Sequence, residues 1–342
     1  MKPDSFLRDS NRVPIENRIF YFLPSLVILG LWLVYMVYAE KWHLMLDHWP
    51  ISLTMVFGSL VAGATSEGGG AIAFPVFTKL LHIQPEIART FSLAIQTVGM
   101  GAASIVILKY RIRIISQAVI YSSLAGCFGF LAGTFLIAPL MPGAWYKIAF
   151  TILTASFGFV LFLEFRHSDS ARFDQIRYGT RTAWLPLSIV GFAGGICTAL
   201  VGNGIDFLTF SLLVTYYNIS EKVATPTSVL LMALNALFGF AVHGFWLGTV
   251  SGVTFDYWLV CIPIVIFGAP LGALICDHIS RRNLIYFLLS LILIELVSTL
   301  WIVRFDWVSR IFAPVLFFAL VLLFFLLQKL GQRQQKAARS RD

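Results

Sequence analysis

The residues best placed to do chemistry gather at two glycine-rich stretches, GATSEGGG from Gly63 to Gly70 and Gly202-Asn203-Gly204, each set inside a long apolar run. Glycine has no side chain, so a chain rich in it turns sharply and lets a ligand approach the backbone. Where such a break ends one helix and starts another, the new helix offers N–H donors and a partial positive charge, which suit an anion. Each break also carries an acid, Glu67 in the first and Asp206 after the second. An ionisable group at membrane depth marks function, and burial makes a neutral carboxyl accessible, so both acids are candidates for proton coupling. Capping of a half-helix is the alternative role for each.

Hydroxyls and amides accompany both breaks. Thr65 and Ser66 lie within the first, and Thr90, Ser92 and Gln96 come on the segment after it; Thr225, Thr227, Ser228 and Asn235 come after the second. With a helix starting near Glu86, Gln96 lies about 15 Å along it, near the middle of a hydrocarbon core about 30 Å thick. Thr90, Ser92 and Gln96 are therefore expected beside the first break, and Thr225, Thr227, Ser228 and Asn235 beside the second. Arg89 reads either as a fork for an oxyanion or as an anchor reaching to the headgroups. Together with Gly68, Gly69, Gly70, Gly202, Asn203 and Gly204, these residues form the expected substrate-binding set. Gly126, Gly129 and Gly133 read as helix-packing glycines, and His243 near Trp246 as interfacial.

Such residues need elements that hold them in lipid. Of 342 residues, 58% are hydrophobic and 12% charged, with a mean hydropathy of +0.83, against about 25% charged in soluble domains. The net charge of +8 comes from basic residues in short loops beside apolar runs, which points to membrane orientation and away from nucleic acid. Four cysteines lie in apolar segments without a CxxC pair. Neither a nucleotide loop nor HExxH occurs, so no cofactor and no ATP-driven step is expected.

Apolar runs near twenty residues place eight full spans at 20–39, 87–108, 114–141, 145–165, 223–246, 256–276, 284–303 and 311–328. No cleavage pattern follows the first run, so a retained helix is expected there. Regions 49–83 and 183–218 are too long for one span, and each either crosses as a broken helix or turns back as a hairpin. Cytoplasmic loops favour Lys and Arg. Two hairpins divide the 25 basic residues nineteen inside to six outside, whereas two crossings divide them fifteen to ten. The expected fold is thus an all-α polytopic membrane protein, with eight full spans, two re-entrant hairpins and both termini cytoplasmic in a cell inner membrane.

Three full crossings separate the hairpins, so they enter from opposite sides, as in an inverted-topology repeat. The expected organisation is a cytoplasmic segment 1–19, a first repeat 20–143 with hairpin 49–83, and a second repeat 144–280 with hairpin 183–218. A helix pair 281–330 and a basic cytoplasmic tail 331–342 follow. Gly68 and Gly70 align with Gly202 and Gly204, and Ala88 to Ser92 with Ala224 to Ser228.

On these residues, and on Gly68-Gly69-Gly70-Ala71-Ile72-Ala73-Phe74-Pro75, the chain resembles the sulfite exporter TauE/SafE family, also called the 4-toluene sulfonate uptake permeases. The resemblance implies no catalysis but secondary transport, often outward, of a small sulfur-containing anion such as sulfite, an organosulfonate or thiosulfate. Asn203 stands where a third glycine is common and Thr209 where the first cluster has Pro75, which leaves the exact substrate open. Two other readings compete. In one, Glu67 and Asp206 form a cation site, with sodium as cargo or sodium or a proton as coupling ion. In the other, Ser66 is the nucleophile of a hydrolase, which needs a base in reach, yet no histidine falls near the middle of a predicted span. The oligomeric state is open.

Overall fold

The computed structural model describes residues 23–65, 69–166, 173–176, 183–278 and 281–339. The described residues form helices α1 (Leu23–Tyr38), α2 (Leu44–Asp47), α3 (Trp49–Ala64), α4 (Gly70–Pro75), α5 (Pro85–Lys109), α6 (Ser116–Ala132) and α7 (Gly143–Arg166). They continue with α8 (Trp184–Val201), α9 (Ile205–Ser211), α10 (Glu221–Ala241), α11 (Val253–His278), α12 (Arg281–Ile302) and α13 (Trp307–Arg339). Short π-turns extend α4, α6, α9 and α10 at Val76–Leu80, Gly133–Ile137, Leu212–Tyr216 and Val242–Trp246. Local signals agree with these bounds. α5 opens with Pro85 and Glu86 and ends on Lys109, so proline needs no N–H and both charges oppose the helix dipole.

Each of the eight apolar runs expected to span is a helix. Among the described residues, seven helices are long and apolar enough to cross a membrane, and the chain is a multi-pass membrane protein. The seven differ from the expected eight at three places. α8, the first arm of the second broken region, is itself 18 residues long and qualifies, because the break comes late in that region. Of the first and last expected spans, the stretches counted among the described residues, Leu23–Tyr38 and Trp307–Leu323, are shorter than that.

Both broken regions turn back on themselves. At the base of the second, the Tyr217 hydroxyl donates to the Ala183 carbonyl at 3.5 Å, joining the end of the returning arm to the start of α8. Deeper in, a Cβ at Gly194 would meet the Ile205 Cα at 2.6 Å, so α9 starts two turns back along α8. At the base of the first, the rings of His48 and Phe77 both lie against Tyr257, at 5.0 and 6.4 Å. The Gly69 carbonyl rests against Gly58 in the same way. α5 and α6 are consecutive and antiparallel, and the first hairpin leads into the start of α5, whereas the second leads into α10, whose Thr227 receives the N–H of Ile115 at the start of α6. The hairpins therefore enter from opposite ends of the bundle.

Backbone detail recurs at a constant offset of 136 residues. His82 and Asn218 both have φ of 53°. The N–H groups of Ile83 and Ile219 return to the carbonyls of Phe77 and Leu213 at 2.8 and 2.9 Å, and α5 and α10 start at Pro85 and Glu221.

Glycines bring the paired helices into backbone contact. α3 runs parallel to α11, with Gly63 on Ala269 and Gly272 on Leu60, and α6 runs parallel to α8, with Gly195 on Gly126 and Gly129 on Phe192. Gly126, Gly129 and Gly133 thus pack helices, as expected from small residues at such crossings. A Cβ at Gly63 would overlap the Ala269 carbonyl, a backbone atom that cannot step aside, whereas one at Gly30 would meet nothing within 4 Å. Gly63→Ala is expected to cost about 1–3 kcal/mol through overpacking and to lower the detergent unfolding midpoint, with Gly30→Ala unchanged. Equal midpoints would show that α3 and α11 are not in such contact.

One feature of the core had no counterpart in the sequence reading. Lys79, on the returning arm of the first hairpin, is buried and pairs with Glu295 on α12 at 2.6 Å, their side chains 3% and 5% exposed. Lys79 also donates to the hydroxyls of Ser298 and Thr299, while Thr151 on α7 donates to Glu295 at 2.8 Å. The returning arm of the first hairpin is thereby tied to α7 and α12.

Candidate functional site

The two hairpin tips meet. A Cβ built on Gly70 would lie 2.7 Å from the Asn203 amide nitrogen and 3.3 Å from Ser92 Oγ, and one on Gly202 would lie 2.7 Å from the Ser92 Cβ. Gly202 and Gly204 have φ of 87° and 149°, which L side chains seldom adopt, so the second tip needs glycine at both positions. Asn203 between them is fully buried.

α5 supplies the polar wall of this junction. Gln96 Nε2 donates to the Gly202 carbonyl at 3.1 Å and to Ser92 Oγ at 2.9 Å, and Ser92 Oγ in turn reaches the Gly202 carbonyl at 3.4 Å. These two side chains were expected at the first tip. They bond to the second, because the tips are close enough for one helix face to serve both. Thr90, on the same helix, spends its hydroxyl on the Glu86 carbonyl one turn back. Thr65, at the end of α3, likewise bonds the Val61 carbonyl. Ser66, Glu67 and Gly68 lie outside the described residues.

Arg89 lies one turn above Ser92, 8% exposed. Its Nη1 donates to the Ala199 carbonyl at 3.1 Å, its guanidinium faces the Tyr146 ring at 5.4 Å, and its Nε has no hydrogen-bond partner. No carboxylate lies within ion-pair distance of it among the described residues. A headgroup anchor would be exposed, so Arg89 is the buried cation of this site.

The second set divides. Asn235 is fully buried and faces Gly126 beside Ile205, at the start of α9. Ser228 bonds the Ala224 carbonyl at 3.1 Å. Thr227 is spent on structure, donating to Val223 and accepting the N–H of Ile115 from α6. Thr225 is half-buried. The second tip itself keeps few backbone donors for a ligand. The N–H of Gly202 goes to the Thr198 carbonyl, that of Ile205 to the Thr198 hydroxyl at 3.1 Å, and that of Gly204 to Asp206 Oδ1 at 2.7 Å. Asp206 therefore caps its own half-helix through one oxygen, while Oδ2, fully buried, has no partner.

Three buried polar residues drew no attention in the sequence, or the wrong kind. His243, expected at the interface, is 1% exposed, its ring turned inward against Phe130 at 6.0 Å while Trp246 next to it faces out. Thr134 is buried on α6, and Tyr146 at the start of α7 holds the Ala138 carbonyl at 2.8 Å. Burial of a histidine near a helix end leaves no mark in local composition, because the neighbouring tryptophan signals an interface regardless of which face the ring takes.

Comparison with curated proteins finds no match, and neither does comparison with solved structures. A model of the sulfite exporter TauE/SafE family matches residues 51–300, which contain all but the first two residues of the first hairpin, the whole second hairpin, α5 to α11 and most of α12. With paired glycine breaks, the helices that follow them and a match across most of its length, the chain belongs to the sulfite exporter TauE/SafE family.

Proposed function

We propose that this membrane protein carries a small sulfur-containing anion, sulfite, an organosulfonate or thiosulfate, by alternating access about the junction of its two hairpin tips. Arg89 carries the argument: a buried guanidinium without a carboxylate partner among the described residues is costly, and an oxyanion supplies the missing charge through a matching fork. The wall of Ser92, Gln96, Asn203 and Gly70 beside it gives the anion polar contacts and close backbone. The opposite entry of the hairpins and the 136-residue recurrence support an inverted-topology repeat, in which rocking of one half against the other exposes a central site to each side in turn. The distribution of Lys and Arg favours cytoplasmic termini in an inner membrane, and the family's description favours outward transport.

Flux of sulfite, thiosulfate and organosulfonates in proteoliposomes, with and without a pH gradient, tests this reading. The anions should move and compete with one another; a protein that moves none of them, or moves only cations, is not this transporter.

The unpartnered Asp206 Oδ2 favours a second element, proton coupling at that acid, with Glu67 as the other candidate. Asp206→Asn keeps an oxygen for the Gly204 N–H and removes the titratable group. It should leave flux at one fixed pH within about threefold, since a neutral cap is nearly as good, and abolish its response to a pH gradient. An undiminished response would leave Asp206 as a cap only, and the same measurement on Glu67→Gln assigns the other acid.

A further inference from the structure

Two neighbouring helices each carry a buried polar residue near the level of Arg89. Leu93 on α5, Phe130 on α6, Ala199 on α8 and Val242 on α10 form one small buried cluster, and Phe130 and Leu93 both press on Gly239 of α10. One turn from Leu93 on α5 lies Arg89, one turn beyond Phe130 on α6 lies Thr134, and one turn beyond Gly239 on α10 lies His243. Arg89 is anchored to the carbonyl of Ala199, and His243 lies edge-on to Phe130, so both stand directly over the cluster. The charge of Arg89 acts on the His243 ring.

Each of the three side chains is more than nine-tenths buried, and each has one polar atom without a protein partner: Arg89 Nε, Thr134 Oγ1 and His243 Nε2. Buried polar atoms are nearly always satisfied, so three such atoms from three helices at one level point to a ligand between them. Thr134 and His243 both come off π-turns, a distortion that recurs at functional sites.

The tautomer of His243 decides what its free nitrogen offers. The Thr249 hydroxyl oxygen lies 2.8 Å from His243 Nδ1 and 3.3 Å from the His243 carbonyl; in the tautomer with hydrogen on Nδ1, that oxygen accepts it and the hydroxyl turns to the carbonyl. The neutral ring then presents a lone pair at Nε2, an acceptor. A site with a cationic fork, a hydroxyl and an acceptor fits an anion that still carries an O–H.

We infer that Arg89, Thr134 and His243 bind a protonated monoanionic oxyanion of the hydrogensulfite type, with Arg89 on its charged oxygens and His243 Nε2 accepting its O–H. This deepens the transport reading above and rests on it. Glu86 and Tyr146 are the other titratable groups that act on Arg89. A sulfonate has a third charged oxygen where hydrogensulfite has its hydroxyl, and a carbon in place of the sulfur lone pair, so it offers Nε2 no hydrogen, and a site built to bond a hydroxyl rejects analogues that lack one.

Calorimetric titration of the purified full-length protein with sulfite and with methanesulfonate, at one mildly acidic pH where sulfite is mostly hydrogensulfite, tests the pocket. The wild type should prefer hydrogensulfite by at least about tenfold, His243→Phe should bring the ratio close to one, and His243→Gln, whose amide oxygen accepts, should keep most of it. Thr134→Val should weaken both ligands alike. A wild-type ratio near one overturns the inference, as does an unchanged ratio in His243→Phe. If His243→Phe does not fold, the wild-type ratio together with His243→Gln decides. Failure of the wild type to bind either anion would instead overturn the transport reading.

Discussion

Arg89→Met is expected to reduce sulfite flux in proteoliposomes by about 100-fold, with an unfolding midpoint within a few degrees of wild type. Removing one partner of a buried, hydrogen-bonded charge pair costs about 2–5 kcal/mol, and tenfold in rate or affinity corresponds to about 1.4 kcal/mol. Methionine keeps the stem that packs beside Tyr146 and deletes the fork that holds the Ala199 carbonyl. That lost hydrogen bond costs about 1 kcal/mol, and it is offset by relief of burying a cation without a carboxylate partner. Loss of flux with retained stability separates a ligand-binding arginine from a structural one. Arg89→Lys sharpens the test, because it keeps the charge and loses the planar fork; it should recover only a small part of the flux. Flux within twofold of wild type in Arg89→Met would remove Arg89 from the substrate path.

The pair of Lys79 and Glu295 should behave in the opposite way, through stability. Lys79→Met strands Glu295 in the interior, and Glu295→Leu strands Lys79; breaking a buried pair on one side costs about 3–5 kcal/mol. The double variant removes both charges and should lie within about 1–2 kcal/mol of wild type, since apolar replacements of similar volume are often neutral. A double-mutant cycle on unfolding midpoints in SDS reads the difference directly. Additive single effects would show that the two charges are not coupled, contrary to the 2.6 Å contact.

The contrast between these two cations shows which features the sequence carries in legible form. Both Lys79 and Arg89 fall near the ends of apolar runs, and hydropathy treats them alike. The helices themselves were legible because lipid demands long apolar runs with internally satisfied backbones, and the hairpins because the same demand makes Gly63 to Gly70 and Gly202 to Gly204 conspicuous. Their entry from opposite ends followed from the three crossings between them. Which face each residue takes did not follow. Ser92 and Gln96, expected at the first tip, proved to bond the second as well as line the junction, Thr227 proved to be a brace for α6, and the burial of His243 and Thr134 left no local mark. Such pairings depend on long-range contacts between α5, α6, α8 and α10, for which no local pattern exists. The unequal arms of the hairpins have a similar cause, because the break marks where a helix stops but not how far along its partner the returning arm begins.

The most direct test of the central claim, that one shared site at the meeting of the tips carries the anion to both sides of the membrane, is counterflow. Proteoliposomes loaded with unlabelled sulfite and diluted into a trace of labelled sulfite should accumulate label transiently when they hold the wild type. They should not when they hold Gly70→Val, whose side chain would occupy the space against Asn203 and Ser92. Accumulation by Gly70→Val equal to wild type, with the variant correctly folded, would contradict a carrier whose site lies between the two tips.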